Sequence, residues 1–163
     1  IVGAQTGPYC VRCSRAKAGL PMPEMTAQDI DRFLGEHFPQ IGSLSLQVER
    51  VESKLVRLRL PHQESQLRPG GTVSGPTMMM LADVTMYVLV LSAVGPRPLA
   101  VTTGLTINFL RKPGPLDLIA EGVPLRIGRR LAVGAVTLFS DGEADPVAHA
   151  TLTYTIPPPG EAT

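Results

Sequence analysis

Tryptophan is absent, and phenylalanine and tyrosine are scarce: aromatics make up 4% of the 163 residues. A protein that stacks single-stranded bases on aromatic side chains needs more of them, which argues against such a platform. An excess of charge is missing too, since 15 Lys and Arg stand against 14 Asp and Glu for a net +1. Beyond short patches such as Arg129-Arg130 there is no basic face, so no nucleic-acid partner is expected. Cysteine occurs only as Cys10-x-x-Cys13. Zinc would need a second ligand pair, and redox chemistry would need a strand-to-helix setting; neither is present, so no metal is expected. A Ser-His-Asp order, a Gly-x-Ser-x-Gly elbow and a phosphate-cradling Gly-x-x-x-x-Gly-Lys are lacking as well. His37, His62 and His149 are scattered and share no ligand spacing.

What is there fits a single domain. Residues 1–25 read as a disordered leader, 26–157 as the domain and 158–163 as a flexible tail behind Pro157-Pro158-Pro159-Gly160. The leader lacks an apolar core long enough for a secretory signal, so a cytoplasmic, reduced protein is expected. The run from Thr77 to Val94 is about long enough to cross a bilayer. Asp83 sits inside it, however, and the rest of the chain alternates as soluble strands do, so no membrane partner is expected.

Thr26-Ala-Gln-Asp29 forms a capping-box pattern opening a short helix, with Ile30, Phe33, Leu34 and His37 at helical spacing. From Leu44 the period becomes two: Leu44, Leu46 and Val48, then Val56, Leu58 and Leu60, alternate with polar residues around a turn at Glu52-Ser53-Lys54. That is an antiparallel pair with one wet face. A long helix follows, with Pro76 suited to its first turn and Ser74 or Gly75 to its cap. It is apolar on nearly every face from Met78 to Val94, which requires a sheet wrapped round it or a partner on its far side. Gly95-Pro96 ends it, and four strand-like runs come after: about Leu99–Arg111, Leu116–Ile127, Leu131–Phe139 and Val147–Ile156. Pro124 marks an edge or a bulge. The order is α+β: a curved antiparallel sheet around one long central helix, the arrangement of the hot-dog fold.

Asp83 is the one carboxylate in the apolar helix. A buried carboxylate costs several kcal/mol unless it is paired or put to use. It can take a proton from water or attack a carbonyl directly. The bland alternative is a satisfied core carboxylate bonded to a hydroxyl such as Thr85. Eight positions earlier, the N–H of Gly75 lies at the positive end of the helix, where it can polarise a carbonyl and hold an oxyanion. The two lie about 12 Å apart along one helix, so they cooperate only if they come from different chains. Antiparallel helices in a homo-oligomer would give two such sites per dimer.

Gly71-Thr-Val-Ser-Gly-Pro-Thr-Met-Met-Met-Leu-Ala-Asp83 resembles the helix start of the PaaI-like, phenylacetate-pathway hot-dog thioesterases. In that family a His-Gly-Gly turn opens the helix and a Leu-Ala-Asp triplet follows. Leu105-Thr-Ile-Asn-Phe-Leu-Arg-Lys-Pro113 is similar to the family's next strand, and Gly128-Arg129 to a later turn. The resemblance implies hydrolysis of an acyl-CoA thioester with a small to medium acyl or aryl-acyl group, in a dimer or a dimer of dimers. It implies no metal or redox cofactor, coenzyme A being part of the substrate. Asp83 would be general base or nucleophile, and the Gly75 amide would polarise the carbonyl. Ser74, Pro76, Thr77 and Met79 would border the substrate, and Arg111, Lys112, Arg129 and Arg130 would meet the CoA phosphates. Ser74 stands where the family has His, and capping the helix is the simpler role for it. Pro76 replaces the second Gly, so only the Gly75 amide remains as a donor there. That altered turn leaves a non-catalytic acyl-CoA binding or sensing protein as the alternative.

Overall fold

The computed structural model describes residues 22–42 and 44–158; the Cys10–Cys13 pair lies outside them, as do most of the expected leader and tail. The elements run α1 (Ala27–His37), α2 (Pro39–Gly42), β1 (Gln47–Glu52), β2 (Leu55–Leu60), a 3-10 turn (Glu64–Gln66), β3 (Leu67–Arg68), β4 (Thr72–Val73), α3 (Gly75–Val94), β5 (Val101–Phe109), β6 (Leu118–Ile127), β7 (Leu131–Ser140) and β8 (Pro146–Thr155). The described body begins before Thr26. Met25 is buried in the core and the Glu24 N–H donates to the Ser92 carbonyl at 2.8 Å, so the leader cannot extend through residue 25 as the sequence suggested.

The capping box forms: Asp29 N–H donates to Thr26 Oγ1 and Thr26 N–H donates to Asp29 Oδ2, satisfying two donors that the start of α1 would otherwise leave open. Ile30, Phe33 and Leu34 then turn inward. Six strands make one antiparallel sheet in the order β1-β2-β6-β7-β8-β5. This sheet packs along α3, which is the hot-dog arrangement expected. The strand periodicity sorts the faces: Val56, Leu58 and Leu60 of β2 and Ala132, Val136 and Leu138 of β7 are fully buried under the helix. Pro124 lies where β6 has run past its pairing with β2, and its register against β7 slips by one residue there, so edge and bulge coincide.

Among the described glycines, Gly134 leaves the least room between helix and sheet. A Cβ there would lie 2.5 Å from Met86 Sδ, so the absent side chain is what lets α3 settle onto β7. By length and composition α3 could cross a membrane, but 67% of its most apolar 18-residue stretch is buried inside this fold, as befits a core helix. One chain thus supplies most of the cover that an all-round apolar helix needs. Pro76 and Met79 stay exposed, and Met80 and Asp83 are half-buried, so one strip at its N-terminal end remains open.

Candidate active site

Two candidate half-sites lie along that open strip. At the first, Asp83 accepts hydrogen bonds on Oδ1 from Thr102 Oγ1 at 2.5 Å and from Tyr154 Oη at 2.8 Å. The Tyr154 hydroxyl also lies 3.1 Å from the Asp83 carbonyl, so one phenol steadies both side chain and backbone. Among the described residues no hydrogen bond falls on Oδ2. Both donors reach Asp83 through sheet register: Thr102 on β5 pairs with Tyr154 on β8. Thr85 is not the partner, for its hydroxyl donates back to the Leu81 carbonyl at 2.7 Å. Burial, reinforced by the Asp83 charge, pushes the Tyr154 phenol far above its usual range, so it remains a protonated donor. Burial likewise pushes Tyr87 up to about 12. The carboxylate opens on a cavity of about 160 Å³ walled by Phe38, Ile41, Tyr87 and Val101.

At the second, Ser74 caps α3: its Oγ accepts the Thr77 N–H at 3.3 Å and lies 2.8 Å from Thr77 Oγ1. The helix therefore opens at Gly75, one position ahead of Pro76. No backbone hydrogen bond among the described residues engages the Gly75 N–H. The turn leading in is built by glycine, since Gly70 and Gly71 have φ of +100° and +70°. The buried Gln66 fixes the entry, its carbonyl accepting the Ser74 N–H at 2.9 Å. Gly75 faces a cleft of about 240 Å³, shared with Arg68, Phe109, Arg111 and Lys112. The Phe109 ring covers Gly75 closely enough that a Cβ would sit 3.4 Å from it.

The residues expected to meet substrate are thus divided. Gly75, Arg111 and Lys112 share the second cleft, although the Arg111 guanidinium also pairs with Asp145 at 2.9 Å. Ser74 and Thr77 are tied to each other at the cap, and Pro76 and Met79 lie exposed on the first turns of α3. Arg129 and Arg130 are exposed on the turn between β6 and β7, at the end of the sheet where Leu131, Thr155 and Val101 pair. That is the Asp83 end, away from Arg111 and Lys112. Thr102 and Tyr154, which lie 19 and 71 residues from Asp83, were not among the residues expected from the sequence. Phe38, Tyr87 and Arg68 were missed with them; only strand alternation, which turns Tyr154 inward between Leu152 and Ile156, hinted at any of the five. Among the described residues no group of three or more His, Cys, Asp or Glu is placed to hold a metal.

The model of the thioesterase superfamily matches residues 70–147, which include Gly75, Asp83 and Thr102. A candidate thioesterase from Silicibacter sp. is 44% identical; the alignment covers 86% of this chain and 97% of that one, with a TM-score of 0.78. A thioesterase from Haemophilus influenzae shares the fold at 14% identity, covering 84% of this chain and 95% of its own, with a TM-score of 0.74. So does a mutant form of the phenylacetic acid degradation protein PaaI from Thermus thermophilus, at 24% identity, 73% and 99% coverage and a TM-score of 0.64. No curated protein matches the chain.

Proposed function

This chain belongs to the thioesterase superfamily, and we propose that it hydrolyses acyl-CoA thioesters at a centre shared by two subunits, Asp83 from one and the Gly75 amide from the other. The observation that carries this reading is the course of β5. Thr102 near its start bonds Asp83, and Phe109 at its end covers Gly75, so the strand links the two half-sites of one chain. It is also an end strand of the sheet, nine residues long and without a charged side chain. Val101 and Phe109 on it are at least half exposed. Such an edge invites a second strand. Antiparallel pairing of β5 with its copy about a twofold axis near Leu105 sets Asp83 of one subunit opposite Gly75 of the other. The same pairing lays the open strips of the two α3 helices together.

In this arrangement Asp83 Oδ2 takes a proton from water as the water oxygen attacks the thioester carbon. The carbonyl electron pair moves onto oxygen, which the Gly75 N–H holds with the field of the helix N-terminus behind it. Collapse restores the carbonyl and breaks the C–S bond, and the departing CoA sulfur recovers the proton from Asp83. Direct attack by Asp83, through an anhydride that water then opens, is the mechanistic variant. Thr102 and Tyr154 hold Oδ1 in either case. Arg68, Arg111 and Lys112 beside Gly75 offer charge to the nucleotide phosphates, and Arg129 and Arg130 would approach the same end from the partner. No metal or redox group enters the scheme. A PaaI-like aryl-acyl preference agrees with the Leu-Ala-Asp83 triplet.

A thiol-release assay against a panel of acyl-CoAs tests the proposal. Wild type is expected to release CoA, and Asp83→Asn is expected to lose roughly 10²–10⁴ in turnover while keeping its melting temperature. Undiminished turnover in Asp83→Asn removes that carboxylate from the mechanism. Binding of acyl-CoA without release by wild type favours the sensing protein instead.

A further inference from the structure

We propose that the acyl group is compact, one six-membered ring or about six carbons, and that Phe38 and Ile41 form the wall that measures it. This rests on Asp83 marking the reacting end. The cavity at Asp83 holds about 160 Å³, and an apolar cavity of about 150 Å³ accepts a benzene ring. Its depth follows a row of aromatic rings. The Tyr154 hydroxyl bonds Asp83, Tyr87 stacks on Tyr154 with centroids 6.1 Å apart, and Phe38 meets Tyr87 edge-on at 5.3 Å. A chain whose carbonyl lies at Asp83 therefore runs along Tyr87 and stops against Phe38 and Ile41.

The wall is held in place. Phe38 closes α1 with its N–H on the Leu34 carbonyl at 2.8 Å, and the Ile41 N–H donates to the Phe38 carbonyl at 2.9 Å. Both residues precede the stretch that the family model matches, so this wall is supplied by the two N-terminal helices rather than by the shared catalytic body. The hydroxyls in the cavity already donate: Thr102 and Tyr154 to Asp83, and Tyr87 to the Arg97 carbonyl at 3.2 Å.

The test measures calorimetric Kd for S-alkyl-CoA thioethers, from ethyl through butyl, hexyl and decyl to hexadecyl, and for S-benzyl-CoA. These analogues are not hydrolysed, so binding is read apart from chemistry. Affinity for the full-length chain is expected to rise about fourfold per methylene up to roughly six carbons and then level off. Benzyl should fall among the best ligands. Phe38→Ala should move the break outward and improve decyl relative to hexyl by at least roughly tenfold. Phe38→Leu and Ile41→Ala, checked by melting temperature, provide milder versions should Phe38→Ala fold poorly. A wild-type gain that continues to hexadecyl, or a break that stays put in all three variants, overturns the proposal. Asp83→Asn separates it from the catalytic reading. If that variant keeps the length profile but still releases thiol like wild type, the base assignment fails and the pocket stands. If it is inactive while the profile is flat, the pocket alone fails.

Discussion

Asp83 differs from an ordinary surface carboxylate in how unequally its two oxygens are treated. Oδ1 accepts from two hydroxyls on different strands, and Oδ2 from no hydrogen bond among the described residues. Two donors on one oxygen fix the plane of the carboxylate and leave the other oxygen for the proton transfer from water proposed above. Tyr154 is then a positioning residue, and its phenol, kept protonated by burial, never competes as a base. Tyr154→Phe deletes one hydrogen bond to a charged group while Thr102 keeps the other. Turnover is expected to drop roughly tenfold, at the low end of such a bond's worth, with KM little changed. Stopped or steady-state kinetics on one good substrate check this. A rise in KM with kcat intact would place Tyr154 in binding instead.

At the scale of elements, the strands and the core helix could be read from periodicity because each buries one simple face. Leu58 and Leu60, and Val136 and Leu138, repeat every second residue and are fully buried. The altered start of α3 was legible too, since Ser74 and Pro76 have the local preferences of a cap and a first turn. The partners of Asp83 were not. Thr102 and Tyr154 become neighbours only through the pairing of β5 with β8, a register that no local pattern prints. The short hairpin of β3 and β4 and the turn at Glu64–Gln66 escaped for another reason: at two or three residues each they are too short to show a period. Gly134 illustrates a third kind of hidden information, a position where the helix excludes any side chain. Adding a methyl there drives Cβ to 2.5 Å from Met86 Sδ, and Met86 has no exposed surface into which to retreat. Overpacking costs about 1–3 kcal/mol, more than the roughly 0.5–1 kcal/mol that alanine recovers over glycine in a strand. Gly134→Ala is therefore expected to lower stability by about 1–2 kcal/mol, seen as an earlier urea midpoint with an unchanged slope.

For the whole molecule, the two ends of the sheet are unlike. β1 is short, bulged between Val48 and Arg50 and studded with Glu49, Arg50 and Glu52, the usual protection of an edge left in water. Behind it Arg57 and Arg59 bind Glu49, Glu121, Asp117 and Asp141 on the outer face. β5 is longer and carries no charged side chain, its one irregularity lying between Thr102 and Gly104. The shared centre proposed above makes a sharp expectation for mixed subunits. Gly75→Pro removes the amide hydrogen; Ser74 is extended, as a residue before proline should be, but Pro76 follows and Phe109 lies close, so the melting temperature of this variant is checked first. Alone, Gly75→Pro and Asp83→Asn should each be nearly inactive. Unfolded, mixed in equal amounts and refolded together, they should recover about a quarter of wild-type activity, because half the dimers are mixed and each holds one intact site. Thiol release on the refolded mixture reads this directly. Recovery no greater than the sum of the separate mutants would mean that each subunit works by itself.

The core helix also stands in an awkward place in the chain. α3 ends at Val94, and four of the six sheet strands that wrap it, β5 to β8, are spelled out only after it. A ribosome therefore delivers an 18-residue stretch of mean hydropathy 1.8 before its cover has been made. For the interval needed to synthesise about sixty more residues, several seconds at ordinary elongation rates, that segment satisfies the length and greasiness by which nascent membrane spans are picked out. Asp83, lodged in its middle, is the one charge that speaks against insertion during that interval, so the residue proposed to serve the finished protein in hydrolysis would also disfavour entry of the newborn chain into a bilayer.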